Sequence, residues 1–297
     1  MFEDFTAESI DVGETSIFLR CAGSGPPLLL LHGFPQTHLM WRRVAPDLAN
    51  SFTVVCADLR GYGRSGCPTP EADHAPHTKR AMAADMITAM ARLGFDHFAV
   101  AGHDRGGRVA YRMALEHPGR ISRLAVLDVV PTGAAWDRAD ARFALAFWPW
   151  SLLAQPEPLP ERLIGVAPDA IVDNALGAWG SDAVQFPPEV RAAYVDALRD
   201  PEHVHAICEE YRAAATLDRM HDAADLAAGK RIAVPLLALW SNTGALATWY
   251  DDEGGPSALW RSLADDVRGR AMRGGHFFPE ESPDETVAAM RSFFAPR

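Results

Sequence analysis

Apolar residues recur along this chain at two different periods. Residues 27–31, Pro-Leu-Leu-Leu-Leu, are continuously apolar, and comparable short runs lie at 52–57, 98–102, 124–130 and 235–241. Runs of this length, set between turn-forming residues, predict strands buried on both faces. Residues 8–21 instead alternate polar and apolar around Gly13, which predicts an N-terminal hairpin. Between the strands the period becomes helical. Met82, Met86, Ile87, Met90 and Leu93 share one face of a predicted helix over 78–93, a second helix is predicted over 108–116, and 283–294 reads as a closing helix. Strands alternating with helices predict an α/β fold with a mostly parallel central sheet flanked by helices, in which sites form beyond the carboxyl ends of the strands.

The alternation lapses between about 131 and 229, where helical segments such as 188–199 and 202–215 follow one another with no strand between them. This predicts a helical cap, 132–231, inserted into a core made of 1–131 and 232–297.

Of 297 residues, 48% are hydrophobic and 23% charged, as expected of a globular chain, and disordered or fibrous architectures are excluded. The 28 basic and 39 acidic residues give a net charge of -11, which argues against nucleic acid or anionic membrane surfaces as partners. A small anionic substrate stays compatible, because local arginines dominate a pocket within a Debye length of roughly 8 Å. Cys21, Cys56, Cys67 and Cys208 are scattered with no CxxC pair, and the acidic opening Met-Phe-Glu-Asp-Phe has no signal-like apolar run. A reduced, cytoplasmic location is the expectation. The richest apolar stretch, 143–154, is broken by Pro149 and falls short of the ~18 residues of a membrane span. No metal-ligand spacing such as HExxH occurs, so no cofactor is expected.

The chemistry is concentrated after the strand at 98–102. Gly102-His103-Asp104-Arg105-Gly106 has the GxSxG form of a nucleophile elbow, in which flanking glycines permit a sharp strand-to-helix turn, but with aspartate in the centre. A carboxylate with an ordinary pKa near ~4 is already ionised at neutral pH and needs no base before attacking a carbon that bears a leaving group. Asp also caps helices, so the turn alone does not decide between the two roles. An elbow requires an acid and then a histidine further along the chain. Asp128, after the strand run at 124–127, and His276, in the loop Arg273-Gly274-Gly275-His276-Phe277, fit that order; Asp251 and Asp252 are rival acids. His32-Gly33-Phe34-Pro35 follows the first core strand, where this architecture places an oxyanion-hole amide, assigned to Phe34 with Arg105 as the second donor. Arg105 and Arg108, one helical turn apart beside the nucleophile, have the geometry to clamp a substrate carboxylate.

The motifs HGFPQTHLMW, DLRGYGRS, GHDRGGR, LDVVPT and GGHFFPEE, in this order, resemble the haloacetate (fluoroacetate) dehalogenase branch of the α/β-hydrolase superfamily over nearly the whole chain. Relatives with an aspartate nucleophile, the epoxide hydrolases and haloalkane dehalogenases, usually carry Trp after it, where this chain has Arg105. The resemblance implies a halide pocket made by Trp150 and Tyr211 of the cap, a homodimer, and hydrolysis of a 2-haloacetate to glycolate through an ester on Asp104. One position departs from it: fluoride-processing members have His before the pocket Trp, and here Pro149 offers no donor. The nearest alternative is an epoxide hydrolase that recruits Tyr211 and Tyr194 as acids. A carboxylate-binding scaffold without activity is a second alternative.

Overall fold

Leu28, Leu29, Leu30 and Leu31 are at most 1% exposed, and they alternate between two hydrophobic clusters, Leu29 and Leu31 on one side of the sheet and Leu28 and Leu30 on the other. The same division holds for Val55 against Val54 and for Val126 against Ala125 and Leu127. Each continuous apolar run is therefore a strand with core on both faces. Each leucine so buried contributes roughly 1.5–3 kcal/mol of transfer free energy.

The computed structural model describes residues 1–295. Its strands are β1 (Thr6–Asp11), β2 (Ser16–Ala22), β3 (Pro27–Leu31), β4 (Thr53–Ala57), β5 (Phe98–His103), β6 (Ile121–Leu127), β7 (Leu236–Ser241) and β8 (Val267–Met272). They form one sheet in the order β1-β2-β4-β3-β5-β6-β7-β8. The β1–β2 and β2–β4 pairs are antiparallel, and all pairs from β4–β3 to β7–β8 are parallel. The carboxyl ends of β3, β5, β6 and β8 thus open on one rim.

Strand β8 has no counterpart in the sequence pattern. It lies at the sheet edge, and its Arg268, Gly269, Arg270 and Ala271 are exposed, so neither an apolar run nor a clean alternation marks it. The helix after β5 spans Arg105–Glu116, starting three residues earlier than its apolar spacing suggests, because the elbow feeds it directly. The helix Lys79–Arg92 starts after Thr78, whose Oγ1 accepts the Ala81 N–H at 3.2 Å.

Between β6 and β7 the chain is helical, from Thr132–Asp137 through Leu217–Ala227, with no strand among the described residues. Core and cap are joined by buried polar contacts. Asp222 of the cap accepts the Tyr111 hydroxyl at 2.9 Å and Arg112 Nη2 at 2.6 Å, and the Tyr194 hydroxyl donates to Glu280 at 3.2 Å. No helix among the described residues is long and apolar enough to cross a membrane.

Candidate active site

Asp104 occupies the turn between β5 and the helix Arg105–Glu116 with φ 45° and ψ −117°, in a region that non-glycine residues seldom adopt. The turn is possible because its neighbours lack side chains. A Cβ on Gly102 would lie 2.2 Å from the Gly106 carbonyl oxygen, and one on Gly106 would lie 2.4 Å from that of His32. The Asp104 carboxylate is thereby lifted above the strand ends, where its Oδ2 accepts the Phe34 N–H at 3.0 Å. The residue is only 8% exposed. Burial disfavours its anion, but His276, Arg105 and Arg108 outweigh that and hold its pKa below the usual carboxylate value.

Asp128 follows β6 and also has a positive φ, 53°. Its Oδ1 accepts the Ser241 N–H at 2.8 Å, which orients the carboxylate, and its Oδ2 lies 2.6 Å from His276 Nδ1. The rivals Asp251 and Asp252 stand on an exposed 3-10 turn, Asp251–Glu253, and neither bonds to a histidine. His276 is buried, with its backbone N–H donated to the Trp179 carbonyl at 2.9 Å. Burial opposes its charged form; the Asp128 hydrogen bond and the charges of Asp128 and Asp104 prevail and raise its pKa above the ordinary value. With Nδ1 committed to Asp128, Nε2 is the ring nitrogen left for chemistry.

Asp104, Asp128 and His276 meet in a chamber of about 20 Å³, whose other walls are Arg108, Phe147, Pro149, Trp150, Trp179 and Tyr211. A cleft of about 380 Å³ shares Asp128, Phe147, Trp179 and His276 with it and leads outward between cap and core. The structure thus brings together the nucleophile, acid and histidine positions and both cap aromatics. Trp150 Nε1 and the Tyr211 hydroxyl make no hydrogen bond to protein among the described residues, which leaves two neutral donors for an anion.

The two arginines are placed differently. Arg108 lines the chamber; its Nη1 donates to the Val130 carbonyl at 3.0 Å and to Thr132 Oγ1 at 3.2 Å, and its guanidinium carbon stands 4.4 Å from the centre of the Trp150 ring. Arg105 is fully buried behind Tyr211, 4.0 Å from that ring's centre, and its Nε donates to Glu210 Oε1 at 2.7 Å. Its Nη1 and Nη2 are buried without a hydrogen bond, and Nη2 has only an ionic contact with Glu210. Glu210 was not distinguishable in the sequence: it sits in the run Cys208-Glu209-Glu210-Tyr211-Arg212, all of which is buried although charged helical residues ordinarily face water. Phe147 and Trp179 were likewise two aromatics among many. The remaining tyrosine of interest, Tyr194, is held by Glu280 and does not line the chamber.

Residues 26–261 match the alpha/beta hydrolase fold family, and the chain belongs to it. It is 43% identical to the fluoroacetate dehalogenase of a Burkholderia species over 99% of this chain and 95% of that protein. A soluble epoxide hydrolase of Corynebacterium sp. (strain C12) is 32% identical over 93% of this chain and 92% of its own. The crystal structure of ALR0039 from Nostoc sp PCC 7120 superposes with a TM-score of 0.96 at 45% identity, covering 100% of both chains. Within the family the sequence stands in the haloacetate dehalogenase branch.

Proposed function

We propose that this protein hydrolyses 2-haloacetates to glycolate and halide through an ester on Asp104. The observation that carries the reading is that a buried carboxylate and the Arg108 guanidinium line one chamber beside the cleft of about 380 Å³, so that a carboxylate substrate held by Arg108 presents its α-carbon to Asp104. Relatedness to a fluoroacetate dehalogenase supports it.

In this reading Arg108 in the chamber wall holds the substrate carboxylate, backed by the charge of Arg105 behind Tyr211. The Phe34 N–H already occupies Asp104 Oδ2, so Oδ1 attacks the α-carbon, the carbon–halogen bond breaks, and the halide departs toward Trp150 and Tyr211. Their neutral N–H and O–H groups stabilise the leaving anion without neutralising the nucleophile. His276 Nε2 then takes a proton from water, which attacks the carbonyl carbon of Asp104 itself; the charge collects on Oδ2 and is met by the amides of Phe34 and Arg105. Collapse of that intermediate releases glycolate and restores the carboxylate, and the net proton leaves to solvent.

Ion chromatography of halide released from fluoro-, chloro- and bromoacetate, with glycolate measured alongside, tests the reading; a flat signal from all three rejects it. Pro149 faces the chamber where a donor would serve fluoride, and losing one hydrogen bond to a poor leaving group costs on the order of 1–3 kcal/mol. The expected result is a kcat/KM for chloroacetate above that for fluoroacetate, with Pro149→His narrowing the gap. An epoxide hydrolase needs phenols to protonate the opening oxygen. Only Tyr211 of the two candidate tyrosines lines the chamber, which weighs against that alternative, and turnover of styrene oxide without halide release would restore it.

A further inference from the structure

Arg105 is gripped from the cap on two sides by consecutive residues. Glu210 takes Nε through both carboxylate oxygens, at 2.7 and 3.0 Å, and its Oε1 lies 2.6 Å from Nη2; the ring of Tyr211 covers the guanidinium face at 4.0 Å. Glu210 is itself fixed from the core. Its Oε2 accepts the Tyr62 hydroxyl at 3.0 Å, and its Oε1 also meets Lys79 Nζ, on a residue that is 1% exposed.

Glu210, Tyr211, Tyr62 and Lys79 are thus buried together around one guanidinium. An isolated buried ion pair is weak evidence for stability, because desolvation offsets most of its attraction. What the cluster does give is geometry: with Nε hydrogen-bonded, Nη2 in ionic contact with Glu210 and the face stacked, the arginine has a single orientation, and Nη1 is the nitrogen left without a carboxylate contact.

Resting on the haloacetate reading, we infer that Glu210 is a positioning residue for recognition of the substrate carboxylate: it holds the Arg105 guanidinium 4.0 Å from the Tyr211 ring and 5.4 Å from the Trp150 ring, against the wall where that carboxylate is bound, and it makes that placement depend on the seated cap. Glu210 touches no reacting atom. Its partner Arg105 belongs to the core while Glu210 and Tyr211 belong to the cap helix Pro201–Ala215, so the charge backing the carboxylate wall and the halide-binding phenol are set by the same helix.

The test uses the full-length protein with Glu210→Gln and Glu210→Asp, following chloride release from chloroacetate together with the melting temperature and inhibition by glycolate. Glu210→Gln keeps one acceptor and loses the second ionic contact; Glu210→Asp keeps the charge and loses the reach. The expected result for both is a KM and a glycolate inhibition constant raised about tenfold, while kcat stays within about threefold. A merely structural role lowers melting temperature and kcat and leaves KM and glycolate inhibition unmoved, and that outcome overturns the inference. Unchanged kinetics in both folded variants overturns it as well. If neither variant folds, Tyr62→Phe removes only the hydroxyl on Oε2, and a raised KM supports the inference while an unchanged one overturns it. Absence of chloride release by the unaltered protein instead rejects the haloacetate reading, which separates the two failures.

Discussion

Replacing Asp104 with Asn is expected to reduce halide release from chloroacetate by on the order of 10⁴-fold or more, equivalent to about 5.5 kcal/mol at the transition state. The amide keeps the shape of the carboxylate and the bond from the Phe34 N–H, but it has no charge with which to displace halide. Its backbone stays in the same positive-φ turn, so the melting temperature should change little. Substrate binding should persist, because Arg108 lies in the wall independently of the nucleophile. The measurement is steady-state halide release with mass spectrometry of the purified variant, since slow deamidation of the introduced amide regenerates the carboxylate and would restore activity. Full activity in a variant shown to retain its amide removes Asp104 from the mechanism.

The second large effect separates the two half-reactions. His276→Gln leaves the displacement intact and removes the base, so one equivalent of halide should be released rapidly and turnover should then stall on the order of 10³-fold below the unaltered protein. Intact-mass analysis should find one carboxymethyl group on the protein, and peptide mapping should place it on Asp104. In heavy-oxygen water the unaltered protein, run for a single turnover, should carry label into Asp104. Label found only in glycolate is incompatible with the ester. Loss of the halide burst in His276→Gln would place His276 in the first step instead.

The same histidine sets a pH limb. Its pKa is raised above the ordinary 6.5, by Asp128 and Asp104 acting against burial, and it must be neutral to accept the proton of water. Ester hydrolysis therefore weakens as the pH falls through that raised value, so the limb lies on the alkaline side of 6.5. Asp104 is shifted the other way, below its usual value, so displacement continues in that range. Ester should accumulate as the solution is made mildly acidic, which quenched-flow mass analysis detects. A steady-state rate that is flat through this range refutes the assignment of His276 as base.

The parts of this fold that the sequence made legible are those where one physical demand dominates. Strands β3 to β7 are buried on both faces, and nothing but an apolar run satisfies that. The elbow was readable because glycine is needed where a Cβ would meet backbone. Asp128 and His276 were readable only as a pair, from chain order; their 2.6 Å contact joins residues 148 apart in the sequence. Strand β8 was not legible because an edge strand exposed to water has no such demand on it. The Glu210 cluster was hidden for the opposite reason. Its charged members, Lys79, Arg105 and Glu210, stand on helices and are indistinguishable from surface positions until the chain packs over Arg105. Arg105 itself was read as an equal partner of Arg108, whereas the structure gives it a counter-ion and sets it back behind Tyr211.

The walls of the chamber divide by origin. Asp104, Arg108, Asp128 and His276 come from the sheet rim and the helix that follows β5, while Phe147, Pro149, Trp150, Trp179 and Tyr211 all come from the insert between β6 and β7. In the haloacetate reading the bond-making groups are therefore encoded on either side of the insert, and the groups that meet the leaving atom within it. Changes in the insert can alter which substrates are accepted without disturbing the strained turn on which the nucleophile depends.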